Sequence, residues 1–111
     1  YISTAGVGVV EAQPLSAESV SIGDKVILSG AIGDHGITVL LARGELDLAA
    51  DIKSDSRSVW PMVKALIDAC PNALRWMRDP TRGGVSASLN ELAGDCGHSI
   101  LLEEESLPVD R

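Results

Sequence analysis

The chain has 111 residues, 45% of them hydrophobic, and a formal net charge of −7 at pH 7. That length suits one domain or part of one, and the apolar content argues for a folded protein and against disorder. The acidic balance argues against a nucleic-acid-binding surface, because such surfaces need clustered lysine and arginine to neutralise phosphates.

The first 22 residues are predicted to form a strand and a connector. Residues 1–10 carry an apolar run interrupted by two glycines, which inside a strand indicate a bulge or a close backbone approach. Residues 11–22 are more polar and contain Pro14, as is typical of a connecting segment. Because the first residue is Tyr1 rather than methionine, we expect the chain to be a piece of a longer protein.

A strand, a glycine-rich loop and a helix are predicted next. Residues 24–29 contain a short continuous apolar run, which is typical of a strand covered on both faces. Glycine then occurs at every third position within residues 29–36, and a helix with i, i+3, i+4 apolar spacing runs from Ile37 until Gly44 ends it. Glycine-rich turns between a strand and a helix often hold ligands, although this pattern alone is a weak signal.

Asp34 and His35 are the candidate proton-transfer residues of that loop. A histidine beside a carboxylate can exchange protons near neutral pH. Two structural alternatives stay open, because Asp34 could serve only as a helix N-cap and His35 only in packing. The spacing of the residues does not decide between these readings.

A second helix is predicted over residues 58–70, with Pro61 in its first turn and Pro71 ending it. Its apolar side chains recur at helical spacing, so we interpret this helix as structural. Short strands are predicted over residues 73–77 and 98–103, on either side of a third helix.

The third helix follows directly on a distinctive motif at residues 78–85, which contains two arginines, a Pro-Thr pair and a Gly-Gly pair. The first N–H groups of a helix have no partner within it, and the positive end of the helix dipole favours an anion. Bare glycine backbone lets such an anion approach closely. The motif is therefore a candidate cradle for a phosphate or a carboxylate.

Cysteine usage and hydropathy predict a cytoplasmic protein. Cys70 and Cys96 lack C-x-x-C spacing and lie on apolar helix faces, so we expect both to be buried and reduced. No apolar run has the length of a membrane span, so we expect no membrane partner.

The order of the predicted elements indicates an α+β fold of α/β-sandwich type, with helices packed on one face of a mixed sheet. Within this chain the sheet would be incomplete and would expose an edge. Because an unpaired edge invites pairing with a second copy, we expect self-association, as in a homodimer.

Taken together, residues 23–24, 29–36 and 78–85 resemble the HypE family of hydrogenase maturation proteins. That family belongs to the superfamily of aminoimidazole ribonucleotide (AIR) synthetase, selenophosphate synthetase and thiamine-monophosphate kinase. The resemblance covers nearly the whole chain and implies a PurM-like C-terminal domain. Residues 1–22 would then be the last strand of an N-terminal ATP-binding domain plus a connector, and residues 23–111 the first part of the C-terminal domain.

The resemblance also implies an ATP-dependent dehydration. In this family a C-terminal cysteine receives a carbamoyl group from the carbamoyltransferase HypF, and loss of water leaves a thiocyanate that supplies the cyanide ligands of nickel–iron hydrogenase. The implied partners are HypF and the HypC–HypD scaffold. The implied cofactors are ATP and Mg²⁺, both held mainly by the N-terminal domain. We expect the chain by itself to be inactive.

On the matched positions, the resemblance makes His35 and Asp34 the proton-handling pair and assigns no metal ligand. The implied cofactor-binding residues are Asp79, Thr81, Arg82, Gly83 and Gly84, with Asp79 as a polar orienter. We expect His35 and Arg82 to converge on one wall of a nucleotide pocket. The rivals are a metabolite kinase or selenophosphate synthetase-like enzyme of the same superfamily, and a non-catalytic dimerising module whose glycine loops are only turns.

Overall fold

The computed structural model describes residues 2–10, 13–47 and 52–109. Its regular elements, in chain order, are a first 3₁₀ turn (Ala17–Ser19), α1 (Asp34–Ala42), α2 (Trp60–Ala69), α3 (Gly84–Cys96) and a second 3₁₀ turn (Glu104–Ser106). None of the helices in these ranges is long and apolar enough to cross a membrane.

Helix α1 lies where the apolar spacing predicts it, but it begins three residues before Ile37. Gly33 precedes it in the left-handed region, with φ of 99°, and turns the chain so that Asp34 is already helical. At the other end, the N–H groups of Gly44 and Glu45 donate to carbonyl oxygens of the last turn. This pairing is the Schellman arrangement, so the predicted role of Gly44 in ending the helix is confirmed.

Helix α2 is shorter than predicted and does not form a buried core. It begins at Trp60, with Pro61 in the first turn as expected, and ends at Ala69. No residue of α2 is buried, and Trp60 is 62% exposed. The expectation that both cysteines are buried is wrong for Cys70, which is exposed, whereas Cys96 on α3 is half-buried.

The small core lies on α3. Its buried residues, among those the structure describes, are Ser88, Leu89 and Leu92. Their i, i+1, i+4 spacing places them on one face of the helix. The first 3₁₀ turn is the helical element that packs against α3. The tertiary structure is therefore organised around this helix.

The predicted connector docks close to the motif that precedes α3. The Ser16 N–H and the Ser19 hydroxyl both donate to the Arg75 carbonyl oxygen, at 3.0 and 3.2 Å. Asp24 Oδ2 accepts the Ser21 N–H at 2.8 Å and lies 3.9 Å from Arg75 Nε. Residues 16–24 are thus attached to the chain around Arg75 rather than extending away from it.

The predicted strands are not formed in the described ranges. No residue there is in a strand, so the mixed sheet is not borne out and stays a prediction. Several apolar side chains of these segments face solvent, with Ile2 96% and Leu101 88% exposed. A strand is stabilised by backbone hydrogen bonds to a neighbouring strand and by cover on its apolar face. The described residues supply neither.

Candidate functional site

The first turn of α1 carries both candidate proton-transfer residues. Gly33, rather than Asp34, is the N-cap, and no side chain caps this end of the helix. The N-cap alternative for Asp34 is therefore wrong. Asp34 is the first helical residue, where a negative charge interacts favourably with the helix dipole. His35 follows it and is exposed, so its ring is not a packing residue in this structure.

Residues 52–57, here called the strap, lie along the start of α1 and the glycine loop before it. Two hydrogen bonds attach the strap: His35 Nδ1 with Ser54 Oγ at 2.9 Å, and Arg57 Nη2 to the Ser29 carbonyl oxygen at 2.7 Å. The Ile52 carbonyl oxygen also lies 3.4 Å from Thr38 Oγ1, but the Thr38 hydroxyl donates to the nearer Asp34 carbonyl oxygen at 2.7 Å. The sequence indicates only a polar loop here. Ser54 and Arg57 are accordingly residues of the site that the sequence analysis did not identify.

Gly30 makes room for the guanidinium group of Arg57. A Cβ atom at Gly30 would lie 2.8 Å from Arg57 Nη2, closer than side chains tolerate. The absence of a side chain therefore lets Arg57 reach the carbonyl oxygen of Ser29. A larger residue at position 30 would displace the flexible end of Arg57 and loosen the strap from the loop.

The second glycine motif makes a tight turn into α3. Three successive residues have positive φ: Arg82 at 45°, Gly83 at 99° and Gly84 at 65°. For Arg82 this left-handed conformation costs about 1 kcal/mol. A Cβ atom at Gly83 would lie 2.6 Å from the Cβ of Ala87, so both the backbone angle and the space require glycine. The turn leaves the start of α3 without a side-chain cap.

Asp79 and Thr81 are held together within this motif. The Thr81 hydroxyl donates to Asp79 Oδ2 at 2.9 Å. That hydrogen bond is the main reason that the pKa of Asp79 lies below its usual range, with smaller contributions from its own backbone N–H and from the positive charges of Arg78 and Arg82. The carboxylate is therefore ionised at neutral pH and available as an acceptor.

We expect Thr81→Val to raise the pKa of Asp79 towards its usual range, because the variant removes the strongest stabiliser of the carboxylate. A carboxyl pKa lowered by folding adds stability above the unfolded-state pKa, and this stability is lost as pH falls through the folded-state pKa. Carboxyl ¹³C NMR titration measures the change. Thr81→Ser keeps the hydroxyl and is the control; an unchanged Asp79 titration in Thr81→Val would contradict the expectation.

Arg78 links the motif to the middle of α3. Its Nη2 lies 3.1 Å from Glu91 Oε2, and both side chains are about half exposed. An ion pair this exposed contributes at most about 1 kcal/mol. Its role here is geometric, because it holds the start of the motif against the helix. None of the ion pairs among the described residues involves Arg82.

The helices that follow the two glycine motifs do not touch in the part of the chain that the structure describes. Helix α1 makes no contact with α3 there, and the glycine loop instead contacts the C-terminal segment through the Ile32 N–H, which donates to the Pro108 carbonyl oxygen at 2.9 Å. The convergence of His35 and Arg82 on one wall stays a prediction.

A groove of about 260 Å³ runs along α3, apart from the predicted site residues. Its lining residues are Ser86, Leu89, Asn90, Ala93, Ile100 and Leu102. Across the described ranges, no group of three or more His, Cys, Asp or Glu residues is arranged to hold a metal ion.

Residues 21–111 match the family model described as AIR synthase related protein, C-terminal domain. The chain is 46% identical over 110 residues to carbamoyl dehydratase HypE of Bradyrhizobium diazoefficiens and to that of Azotobacter vinelandii, and 39% identical to that of Escherichia coli. Each alignment covers 98% of this chain but 32% of the relative, so the chain spans about a third of their length. No solved structure gives a significant match.

Proposed function

Because the chain belongs to the family of AIR synthase related proteins, as part of their C-terminal domain, we propose that it is part of an ATP-dependent carbamoyl dehydratase. The observation that carries this proposal is the 46% identity, over 98% of the chain, to relatives named carbamoyl dehydratase HypE. Those relatives are about three times as long. The activity therefore belongs to a longer protein, and this chain alone is expected to be inactive.

The proposed reaction converts an S-carbamoyl cysteine into a thiocyanate. The carbamoyl oxygen would accept the γ-phosphoryl group of ATP with release of ADP, the two amide protons would be removed, and the oxygen would depart as part of inorganic phosphate. The carbon–nitrogen triple bond that forms is the source of the cyanide ligands of nickel–iron hydrogenase. Such a reaction needs donors that hold phosphate, a cation and groups that handle protons.

We assign proton handling to His35 and Asp34. The position of His35 supports this, since its ring is exposed and is held at Nδ1 by the strap. We assign the binding of phosphate, or of the entering carbamoylated tail, to residues 81–84, where the start of α3 has no side-chain cap and adjoins Arg82. Asp79, held by a hydrogen bond from the same turn, orients the bound group.

ATP and Mg²⁺ are the proposed cofactors, held mainly by the part of the longer protein that precedes this chain. The residues present here suit phosphate oxygens, which guanidinium groups and helix-start N–H groups bind well. When bound, ATP would supply the phosphoryl group, and Mg²⁺ would supply positive charge that neutralises the phosphate oxygens. This chain contributes the turn at residues 81–84 on which such oxygens can rest.

In the longer protein we propose that residues 2–10, 24–29, 73–77 and 98–103 become strands of a mixed sheet, with the helices on one face. Their exposed apolar side chains support this, because a sheet and its helices would cover them. We also propose the division near residue 22 between the end of an N-terminal ATP-binding domain and the C-terminal domain.

The proposed partners are those that the resemblance to the HypE family implies. We propose a cytoplasmic homodimer that receives its carbamoyl group from HypF and delivers cyanide to the HypC–HypD scaffold. Exposed apolar residues such as Val9 and Ile27 support self-association of this chain, since unpaired apolar segments favour pairing between copies.

Incubating the longer protein, S-carbamoylated by HypF, with ATP tests the function. We expect mass spectrometry of the C-terminal cysteine peptide to show loss of one water that depends on ATP. A phosphorylated metabolite without that loss would select the kinase alternative. If neither the water loss nor a phosphorylated metabolite were detected, the result would select the non-catalytic module.

A further inference from the structure

Ser54 is placed to decide which nitrogen of His35 carries the proton. His35 Nδ1 lies 2.9 Å from Ser54 Oγ, and Ser54 Oγ accepts the backbone N–H of Ser56 at 3.2 Å. A neutral imidazole donates from one ring nitrogen and accepts at the other. The hydrogen bond at Nδ1 therefore determines whether Nε2, the nitrogen left for a substrate, is a donor or an acceptor.

The Ser56 N–H favours Ser54 as the donor to the ring. If the Ser54 hydroxyl donates to His35 Nδ1, the two hydrogen bonds run in one direction, from the Ser56 amide through the hydroxyl to the imidazole. Hydrogen bonds aligned in this way polarise and strengthen one another. In the reverse arrangement, Ser54 Oγ would accept hydrogen bonds from both His35 Nδ1 and the Ser56 N–H, and the hydroxyl proton would have only solvent as its acceptor.

The chain after Ser54 is held independently of its hydroxyl. Arg57 Nη2 donates to the Ser29 carbonyl oxygen at 2.7 Å, and this contact does not involve the Ser54 side chain. Before Ser54, the Ile52 carbonyl oxygen lies 3.4 Å from Thr38 Oγ1, whose hydroxyl donates to the nearer Asp34 carbonyl oxygen at 2.7 Å. Removal of the Ser54 hydroxyl alone therefore leaves the strap attached to the glycine loop through Arg57.

We propose that Ser54 is a positioning residue that holds neutral His35 with its proton on Nε2. His35 then presents a hydrogen-bond donor to the substrate. The identity of that substrate rests on the proposed function. The group that accepts the hydrogen bond from Nε2 is the carbamoyl oxygen or the phosphoryl group transferred to it, where charge develops during the reaction. In this tautomer Nε2 has no free lone pair, so the share of proton handling that falls to His35 is donation at oxygen, and removal of the amide protons is not its step.

The ring tautomer can be measured directly on this chain, labelled with ¹⁵N in its imidazole groups. The chain has two histidines, so a His98→Gln variant assigns the signals of His35. At alkaline pH, where the rings are neutral, we expect long-range ¹H–¹⁵N spectra to show His35 as the Nε2–H form. Ser54→Ala should lose this single form and give a mixture, and Ser54→Thr should restore it. In both variants the His98 signals serve as the internal control.

A His35 ring protonated at Nδ1 in the unmodified chain would overturn the proposal. A Ser54→Ala spectrum identical to that of the unmodified chain would also overturn it. The measurement uses no ATP and no carbamoylated substrate, so its result is independent of the proposed reaction. Failure of the dehydration assay, with the Nε2–H form intact, would remove the proposed function and leave the role of Ser54 standing.

Discussion

His35→Ala, introduced into the longer protein that we propose is a dehydratase, is expected to lower kcat by about 10²–10⁴-fold. This range covers the loss of a group that transfers a proton and the loss of a donor to a developing negative charge. Folding should be unaffected, because the side chain is exposed and its hydrogen bond among the described residues is to Ser54, which is also exposed. Single-turnover conversion of the S-carbamoyl cysteine, followed by mass spectrometry, measures the rate.

His98→Ala is the matched control for this experiment. His98 is the other histidine of the chain, and it lies after the end of α3 rather than at the start of α1. We expect its variant to retain the rate of the unmodified protein. Equal rates for His35→Ala and His98→Ala would refute the role of His35 and favour the dimerising module.

Leu92→Ala is expected to lower the free energy of unfolding of this chain by about 2–5 kcal/mol, the cost typical of truncating a buried leucine. Leu92 is 5% exposed and does not line the groove along α3, so solvent cannot readily fill the space left behind. Urea denaturation followed by circular dichroism measures the change. The effect is a large share of the stability of a chain in which so few of the described side chains are buried.

Leu101→Ala makes the same chemical change at a side chain that is 88% exposed. Exposed substitutions usually change stability by less than about 0.5 kcal/mol, so the midpoint of unfolding should stay where it is. If both variants unfolded at the same urea concentration, α3 would not be the centre of the core. Working at low protein concentration keeps self-association out of the comparison.

The helices could be predicted because their signals are local. Apolar spacing, Pro61 in a first turn and Gly44 after a last turn act within a few residues of one another, and all three are where the structure has them. The start of α1 was placed too late because the left-handed Gly33 lets a polar pair, Asp34 and His35, enter the helix before the first apolar residue.

The strands could not be verified in the same way, because pairing depends on residues distant in sequence or outside the chain. Residues 24–29 have the composition of a buried strand, yet Ile27 is 74% exposed and no sheet within the described ranges covers it. A continuous apolar run predicts what a segment would do beside a partner. It does not show that the partner is present.

The residues of the candidate site show the same difference between local contacts, which the sequence can predict, and long-range contacts, which it cannot. The hydrogen bond from Thr81 to Asp79 spans two residues, and the motif around it was identifiable from the sequence. Ser54 reaches His35 across 19 residues and Arg57 reaches Ser29 across 28, so neither contact follows from local sequence. The sequence contains only a weak signal for Ser54 and Arg57 as site residues, namely one arginine and several serines just before a predicted helix.

The attachment of the connector to Arg75 has a consequence for the order of events during synthesis. The Ser19 hydroxyl binds a carbonyl oxygen 56 positions later in the chain. A ribosome adds about 5–20 residues per second, so the first 3₁₀ turn waits on the order of several seconds before its docking partner exists. During that interval the Ser16 N–H and the Ser19 hydroxyl bind water instead of the Arg75 carbonyl oxygen.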